Sequence, residues 1–297
     1  MKSAIHNEIQ SQIINICKDL GFDAIPEYRG KDWRADVLVL KDGRKFAFEI
    51  QISPQSLKKT LERQSKYIRD GIIGCWFFEK IPSKLTDERP DLPLFLINKQ
   101  AGDNAFFVSL GERRQLSLSE FLRQFLSNGV KFCEVARAKR EQRVKLVFYE
   151  MKCWKCGAMN HIYYVDTSFV SACEAKIRPD ESMWASNKME YRPEIVKLAR
   201  EFVNSEKGSF LNLGNIKQRY SKTVQESYMS FGCYKCDSIF GDWYVMEAQV
   251  EAMYGYRQVA IVERVISLHD HIEIPAPHWC APGDNLPFCD GSYREEI

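Results

Sequence analysis

The stretch that most constrains the fold is Trp33 to Ile52, WRADVLVLKDGRKFAFEIQI, in which two apolar-rich strand runs flank Asp42-Gly43. Both residues of that dipeptide tolerate the positive φ of a two-residue hairpin loop, and such a loop fixes the register. Lys41 then pairs with Arg44, and counting outward sets Asp36 opposite Glu49 and Arg34 opposite Gln51. Side chains alternate between faces along a strand, so Val37, Val39, Phe46, Phe48, Ile50 and Ile52 share the core face. The other face turns polar toward the open end, where Asp36, Glu49 and Gln51 gather beside Arg34. Facing carboxylates repel across a sheet, and a divalent cation between them relieves the repulsion. Carboxylate oxygens and water are what Mg²⁺ and Mn²⁺ prefer, with a substrate phosphate completing the shell, so the pattern points to phosphodiester chemistry. The competing reading is a half-exposed antiparallel pair with solvated charges on its wet face.

The motif also resembles a known family. Arg34-Ala35-Asp36 followed by Glu49-Ile50-Gln51 is similar to the active-site hairpin of the PD-(D/E)XK nucleases. Within that superfamily, Glu49 to Pro54 with Arg63, Tyr67, Gly71 and Trp76 resembles the competence protein CoiA-like branch, over residues 1–110. The resemblance implies an α/β, restriction-endonuclease-like core (helix, β-hairpin, helix, strand). It further implies a nuclease in which Asp36, Glu49 and the main-chain carbonyl of Ile50 hold Mg²⁺ or Mn²⁺, with Glu8 of the first helix in support. One residue departs from the pattern: Gln51 stands where the superfamily has Lys, leaving no ammonium there to orient water. Lys45, Lys58, Lys59 or Arg63 are the candidates to supply the charge. Three functions follow: a DNA nuclease, an RNA-directed nuclease, or a decayed core that binds DNA or a partner without cutting it. Uptake, repair and defence against foreign DNA are all open as settings.

Apolar spacing predicts the elements around the hairpin. Residues 3–20 read as a helix capped by Ser3, with Ile5, Ile9, Ile13, Ile16 and Leu20 as its stripe and Gly21 as its stop. His6 reads as a packing or surface residue. Residues 22–29 form an entering strand from which Glu27 reaches the site. Ser53 and Pro54 open a second helix that runs to Asp70, with Leu57, Leu61 and Ile68 buried. Its other face carries Lys58, Lys59, Arg63, Lys66 and Tyr67, which with Arg34 are the expected phosphate contacts. Ile72 to Phe78 is apolar throughout, as in a strand buried on both faces. Weaker strands are expected at 94–97 and 105–109, and a short helix at 117–126.

Cys153-Trp154-Lys155-Cys156 and Cys233-Tyr234-Lys235-Cys236 are near-copies of one device. Each follows a strand-like run and precedes another, HIYYV and IFGDWYV, as a zinc knuckle does. Two such pairs complete a tetrahedral, closed and therefore structural Zn²⁺ site. The long separation between them implies an insertion at 167–227 with a helix at 193–204. A redox CxxC is the rival and lacks a βαβ setting. Cys17 and Cys75 fall on apolar faces, and Cys133 and Cys173 are unassigned. His269, His271, His278, Cys280 and Cys289 are candidates for a second metal site, with His269 and His271 sharing a strand face and Pro275 to Pro287 an irregular tail.

A chain of 297 residues is long enough for two domains. The expected division is a nuclease domain at 1–112, a helical or basic connector at 113–150, and at 151–297 an α+β domain built on the Cys₄ zinc ribbon. A net charge of +2 gives no global case for nucleic acid, so any such surface is a local patch. MKSAIHNEIQ lacks an apolar signal core and no run approaches a membrane span, which leads us to expect a cytoplasmic protein with reduced cysteines.

Overall fold

The computed structural model describes residues 3–85, 88–100, 105–110, 114–177, 189–270 and 272–294. The chain divides into two compact units. The first comprises Met1–Arg137, Ser171–Ala175 and Pro275–Ile297, the second Ala138–Val170 and Lys176–Ile274.

In the first unit, α1 (Ala4–Asp19) is followed by β1 (Asp23–Pro26), β2 (Val37–Lys41), β3 (Arg44–Gln51), α2 (Leu57–Arg69) and β4 (Ile72–Phe78). Then come β5 (Leu94–Lys99), β6 (Phe106–Leu110), β7 (Arg114–Ser117), α3 (Leu118–Leu126) and β8 (Lys131–Arg137). Strands β1 to β7 form one sheet in chain order. Pairing is antiparallel from β1 to β3, parallel from β3 through β5, and antiparallel again to β7. The β2–β3 hairpin has the expected register, Lys41 opposite Arg44, with Asp42 and Gly43 at φ 49° and 74°.

The expected hairpin core face, with Val37, Val39, Phe46, Phe48 and Ile50, packs with Ile9 and Ile13 of α1 and with Phe121 and Phe125 of α3. The opposite face, with Leu38, Ala47 and Trp76, packs with Tyr67 of α2. Gly74 of β4 permits a close approach there, since a Cβ would meet Gln64 Oε1 at 2.2 Å.

Helix α2 departs from expectation. Its N-cap is Ser56, whose hydroxyl accepts the Lys59 N–H, and its buried residues are Thr60, Gln64 and Tyr67, while Ile68 is exposed. The buried face is thus turned by about 60° from the Leu57, Leu61, Ile68 stripe, because residues three apart lie about 300° around a helix. Polar side chains can take those positions because they are satisfied: Gln64 accepts from Trp76 Nε1 at 2.8 Å and donates to the Asp91 carbonyl at 3.0 Å.

The basic segment expected as a connector is strand, in β8 and in β9 (Glu141–Lys152) of the second unit. Gln142 and Val144 are buried between exposed or half-buried Glu141, Arg143 and Lys145, so the charges occupy the wet positions of a period-two pattern. The expected irregular tail also contains a strand, β16 (Glu273–Cys280), which pairs with β8. Its Trp279 packs edge-on against Phe95 at 5.7 Å and Phe132 at 5.5 Å. The first unit therefore extends beyond 1–112 and closes with residues from the far end of the chain.

The second unit contains, besides β9, β10 (Met159–Val165), β11 (Phe169–Val170), β12 (Lys176–Ile177), α4 (Pro193–Val203) and β13 (Ile216–Ser221). It continues with β14 (Glu226–Phe231), α5 (Asp242–Met253) and β15 (Gln258–Ser267). β9 lies between β10 and β15, β11 pairs with β12, and β13 with β14. Helix α4 matches the helix expected in the insertion. The run IFGDWYV, expected as a strand, instead leads into α5, whose DWYVMEAQVEAM is rich in strong helix formers.

Candidate active site and metal clusters

The hairpin delivers its two carboxylates to one place, held differently. Asp36 precedes β2 and is fixed by the backbone: Ile50 N–H donates to its Oδ2 at 2.9 Å and Glu27 N–H to its carbonyl at 2.9 Å. Glu49 lies inside β3, 2 % exposed. Arg63 Nη2 donates to Glu49 Oε1 at 2.6 Å, and the Tyr67 hydroxyl donates to the same oxygen and lies 2.9 Å from the Arg34 carbonyl. Arg63 also stacks over the Trp76 ring at 4.9 Å.

Burial, with Asp36 beside it, pushes the Glu49 carboxyl up to about 8 against the opposing pull of Arg63 and Tyr67. Tyr67 is pushed up as well, by burial and by Glu49. Among the candidates to replace the missing ammonium, Arg63 is the one that reaches a carboxylate of the pair. Tyr67, expected on the phosphate-facing surface, is buried and positions Glu49 instead. Lys58 and Lys59 are exposed. Gln51 turns its amide onto its own loop, donating to the Ser53 carbonyl at 2.6 Å and Ser53 Oγ at 3.1 Å.

Helix α1 faces the site with residues other than the expected one. Glu8 pairs with Lys99 at 2.8 Å. His6 and Gln10, one turn apart, do face Asp36: His6 Nε2 lies 3.3 Å from Oδ2, and Gln10 Nε2 donates to the Asp36 carbonyl at 2.7 Å. Gln10 also donates to Glu27 Oε1 at 2.8 Å, and the other oxygen of Glu27 holds Arg34. The signal for His6 and Gln10 was in the sequence, because they flank Ile9 and Ile13 on the buried side of the helix. As a donor set, two carboxylates and the Ile50 carbonyl fit a hard, oxygen-seeking cation.

In the second unit, Cys153, Cys156, Cys233 and Cys236 bring their sulfurs within 4.8 Å of one another. Sγ atoms of Cys153 and Cys236, and of Cys156 and Cys233, are 3.6 Å apart. The two knuckles repeat one backbone pattern. Gly157 N–H donates to the Cys153 carbonyl at 3.0 Å and Asp237 N–H to the Cys233 carbonyl at 2.9 Å. Gly157 and Asp237 each take positive φ, 71° and 57°. Buried Asn160 ties the two together, donating to the Ala158 carbonyl at 2.9 Å and accepting the Tyr234 N–H at 2.8 Å. This thiolate set could hold a metal such as zinc.

The expected second cluster is rearranged. His269 lies beyond β15, exposed and 3.2 Å from Glu194, and is in no strand; His271 lies outside the described residues. His278, Cys280 and Cys289 instead converge with Cys173.

A mixed sheet with helices on both faces, carrying an acidic pair at the open end of a hairpin, defines a nuclease-like core. Residues 2–90 match the family model described as Competence protein CoiA, nuclease-like domain, which supports the CoiA-like branch of the PD-(D/E)XK nucleases for that part of the chain. No curated protein matches the sequence. Among the described residues, no helix is long and apolar enough to cross a membrane.

Proposed function

We propose that the chain is a divalent-metal-dependent nuclease that hydrolyses DNA phosphodiester bonds. The observation that carries this reading is the buried Glu49 beside Asp36, with Asp36 locked by the Ile50 amide. Asp36, Glu49 and the Ile50 carbonyl would hold Mg²⁺ or Mn²⁺. When bound, such an ion polarises a phosphoryl oxygen and acidifies water. Arg63 holds Glu49 in place and offsets its charge, and Tyr67 fixes the same oxygen. His6 orients Asp36. Arg34, Lys58 and Lys59 lie exposed or half-exposed, where phosphates can reach them. Gln51 orients water or substrate once its amide leaves Ser53. The Cys₄ cluster would hold structural Zn²⁺, and its knuckles present Trp154 and Tyr234, 72 % and 47 % exposed, each followed by a lysine, as a surface for nucleic acid or a protein partner.

A second reading rests on the Arg63–Glu49 pair. A carboxylate already neutralised from within is compatible with a core that binds without cutting. The test is cleavage of linear and circular, single- and double-stranded DNA, and of RNA, in Mg²⁺, Mn²⁺ or EDTA, with Asp36→Asn and Glu49→Gln alongside. Metal-dependent cutting reduced by on the order of 10²–10³ in both variants, the scale of losing one electrostatic contact to the reacting group, supports the nuclease. Unchanged binding with no cutting on any substrate supports the binding module.

A further inference from the structure

We infer that the first unit holds its own structural zinc, bound by Cys173, His278, Cys280 and Cys289. Neither the carboxylate site nor the CxxC pairs uses these residues, and Cys173 lies 105 positions before His278, the first of the other three. All four are buried, with Cys280 and Cys289 at 0 % and Cys173 and His278 at 3 % exposure. Their donor atoms lie within 4.8 Å of one another.

The spacing is that of a coordination shell. Tetrahedral zinc with bonds of about 2.3 Å to sulfur sets its sulfurs about 3.8 Å apart. Here Cys289 Sγ lies 3.5 Å from Cys173 Sγ, which in turn lies 3.4 Å from His278 Nε2. The cysteines are free thiols, so this approach is no disulfide.

Two further contacts point to a metal in particular. His278 Nδ1 sits 2.7 Å from the Ala276 carbonyl, which assigns its proton to Nδ1 and directs the Nε2 lone pair into the cluster, the outer contact that zinc-bound histidines make. Cys289 N–H points at Cys280 Sγ from 3.4 Å, a donor suited to a thiolate. Without a cation, three sulfurs and an imidazole nitrogen would be sealed in a pocket lined by Ala175 and Phe288, with the Ser171 hydroxyl 3.2 Å from Cys173 Sγ and the Cys289 amide as polar contacts besides one another. Three sulfurs and one nitrogen with no open position select zinc in a structural role.

The arrangement explains why Ser171–Ala175 belongs with the first unit although the residues on either side belong to the second. Cys173 is the ligand in that five-residue return, and the other three come from the final segment. Zinc would fasten these two passes to each other. Cys133 of β8 packs in the same cluster as an unused fifth sulfur.

The proposal does not depend on nuclease activity and is tested on the purified full chain. Zinc is quantified by mass spectrometry and by release with a thiol-modifying reagent, and the zinc K-edge absorption spectrum reports the ligands. Two zinc ions per chain are expected, with a nitrogen scatterer in the averaged shell. Cys280→Ser or Cys289→Ser should remove one equivalent and leave the other, while Cys236→Ser removes the complementary one. If these variants do not fold, the wild-type chain still decides. A single zinc with an all-sulfur shell overturns the inference. So does iron with visible charge-transfer absorption, or a disulfide among Cys133, Cys173, Cys280 and Cys289.

Discussion

The carboxylate pair of the first unit and the thiolate set of the second, the two cation sites of the proposed function, stand in opposite relations to the fold. Asp36 and Glu49 are held by the protein's own groups, namely the Ile50 amide, Arg63 and Tyr67. That site exists because the sheet exists. The four cysteines sit at the tips of two turns far apart in sequence, with Asn160 as a polar link between them. There the metal would create the local structure, whereas at the carboxylates it would only use structure already made.

The largest effect that could break this contrast is on folding. Cys236→Ser should destabilise the second unit severely, since structural zinc supplies about 10–16 kcal/mol in small zinc domains. The check is calorimetry with and without chelator: separate loss of one transition fits, and an unchanged melt would erase the difference between the sites. Next comes Arg63→Ala, measured above about pH 8, where Glu49 is ionised and the variant leaves its carboxylate buried without a cation. Breaking a buried pair from one side costs about 3–5 kcal/mol, and the half-exposed Arg63 side chain argues for the lower end. Urea denaturation measures it, and a cost under about 1 kcal/mol would mean that the pair is a solvated surface contact.

The third expectation concerns pH. The folded state holds the Glu49 proton up to about 8, above the ordinary glutamate value, so metal-free protein binds more protons folded than unfolded between the two. Stability in EDTA should therefore fall as pH rises from about 4.5 to about 8, and Glu49→Gln should flatten that slope in a melting series. The smallest effect is that of Glu8→Gln. Its exposed pair with Lys99 is worth about 0–1 kcal/mol, and catalysis should be unaltered. A large loss of cleavage would return Glu8 to the site in place of His6.

What the sequence disclosed follows the same divide. The Asp42-Gly43 turn and the doubled CxxC are local signals, in which a few adjacent residues fix a register or a knuckle, and both are present as read. Nothing local marks Tyr67 as the partner of Glu49, because polar residues on α2 became buried only by finding acceptors and donors on β3, β4 and the Asp91 loop. Nor does any spacing rule connect Cys173 to Cys289. Long-range partners of this kind are set by topology, here by a chain that visits the first unit in three passes.

That three-pass path has a consequence for synthesis on the ribosome. The second unit ends at Ile274, whereas Trp279, which packs on Phe95 in the first unit's core, is made after it. The nuclease-like core, though begun first, can be finished only last, so the nascent chain must keep an incomplete core soluble while a whole second unit emerges. Chains stalled at successive lengths and challenged with protease should gain resistance in the second unit before the first. The reverse order would mean that the core closes without β16 and its Trp279.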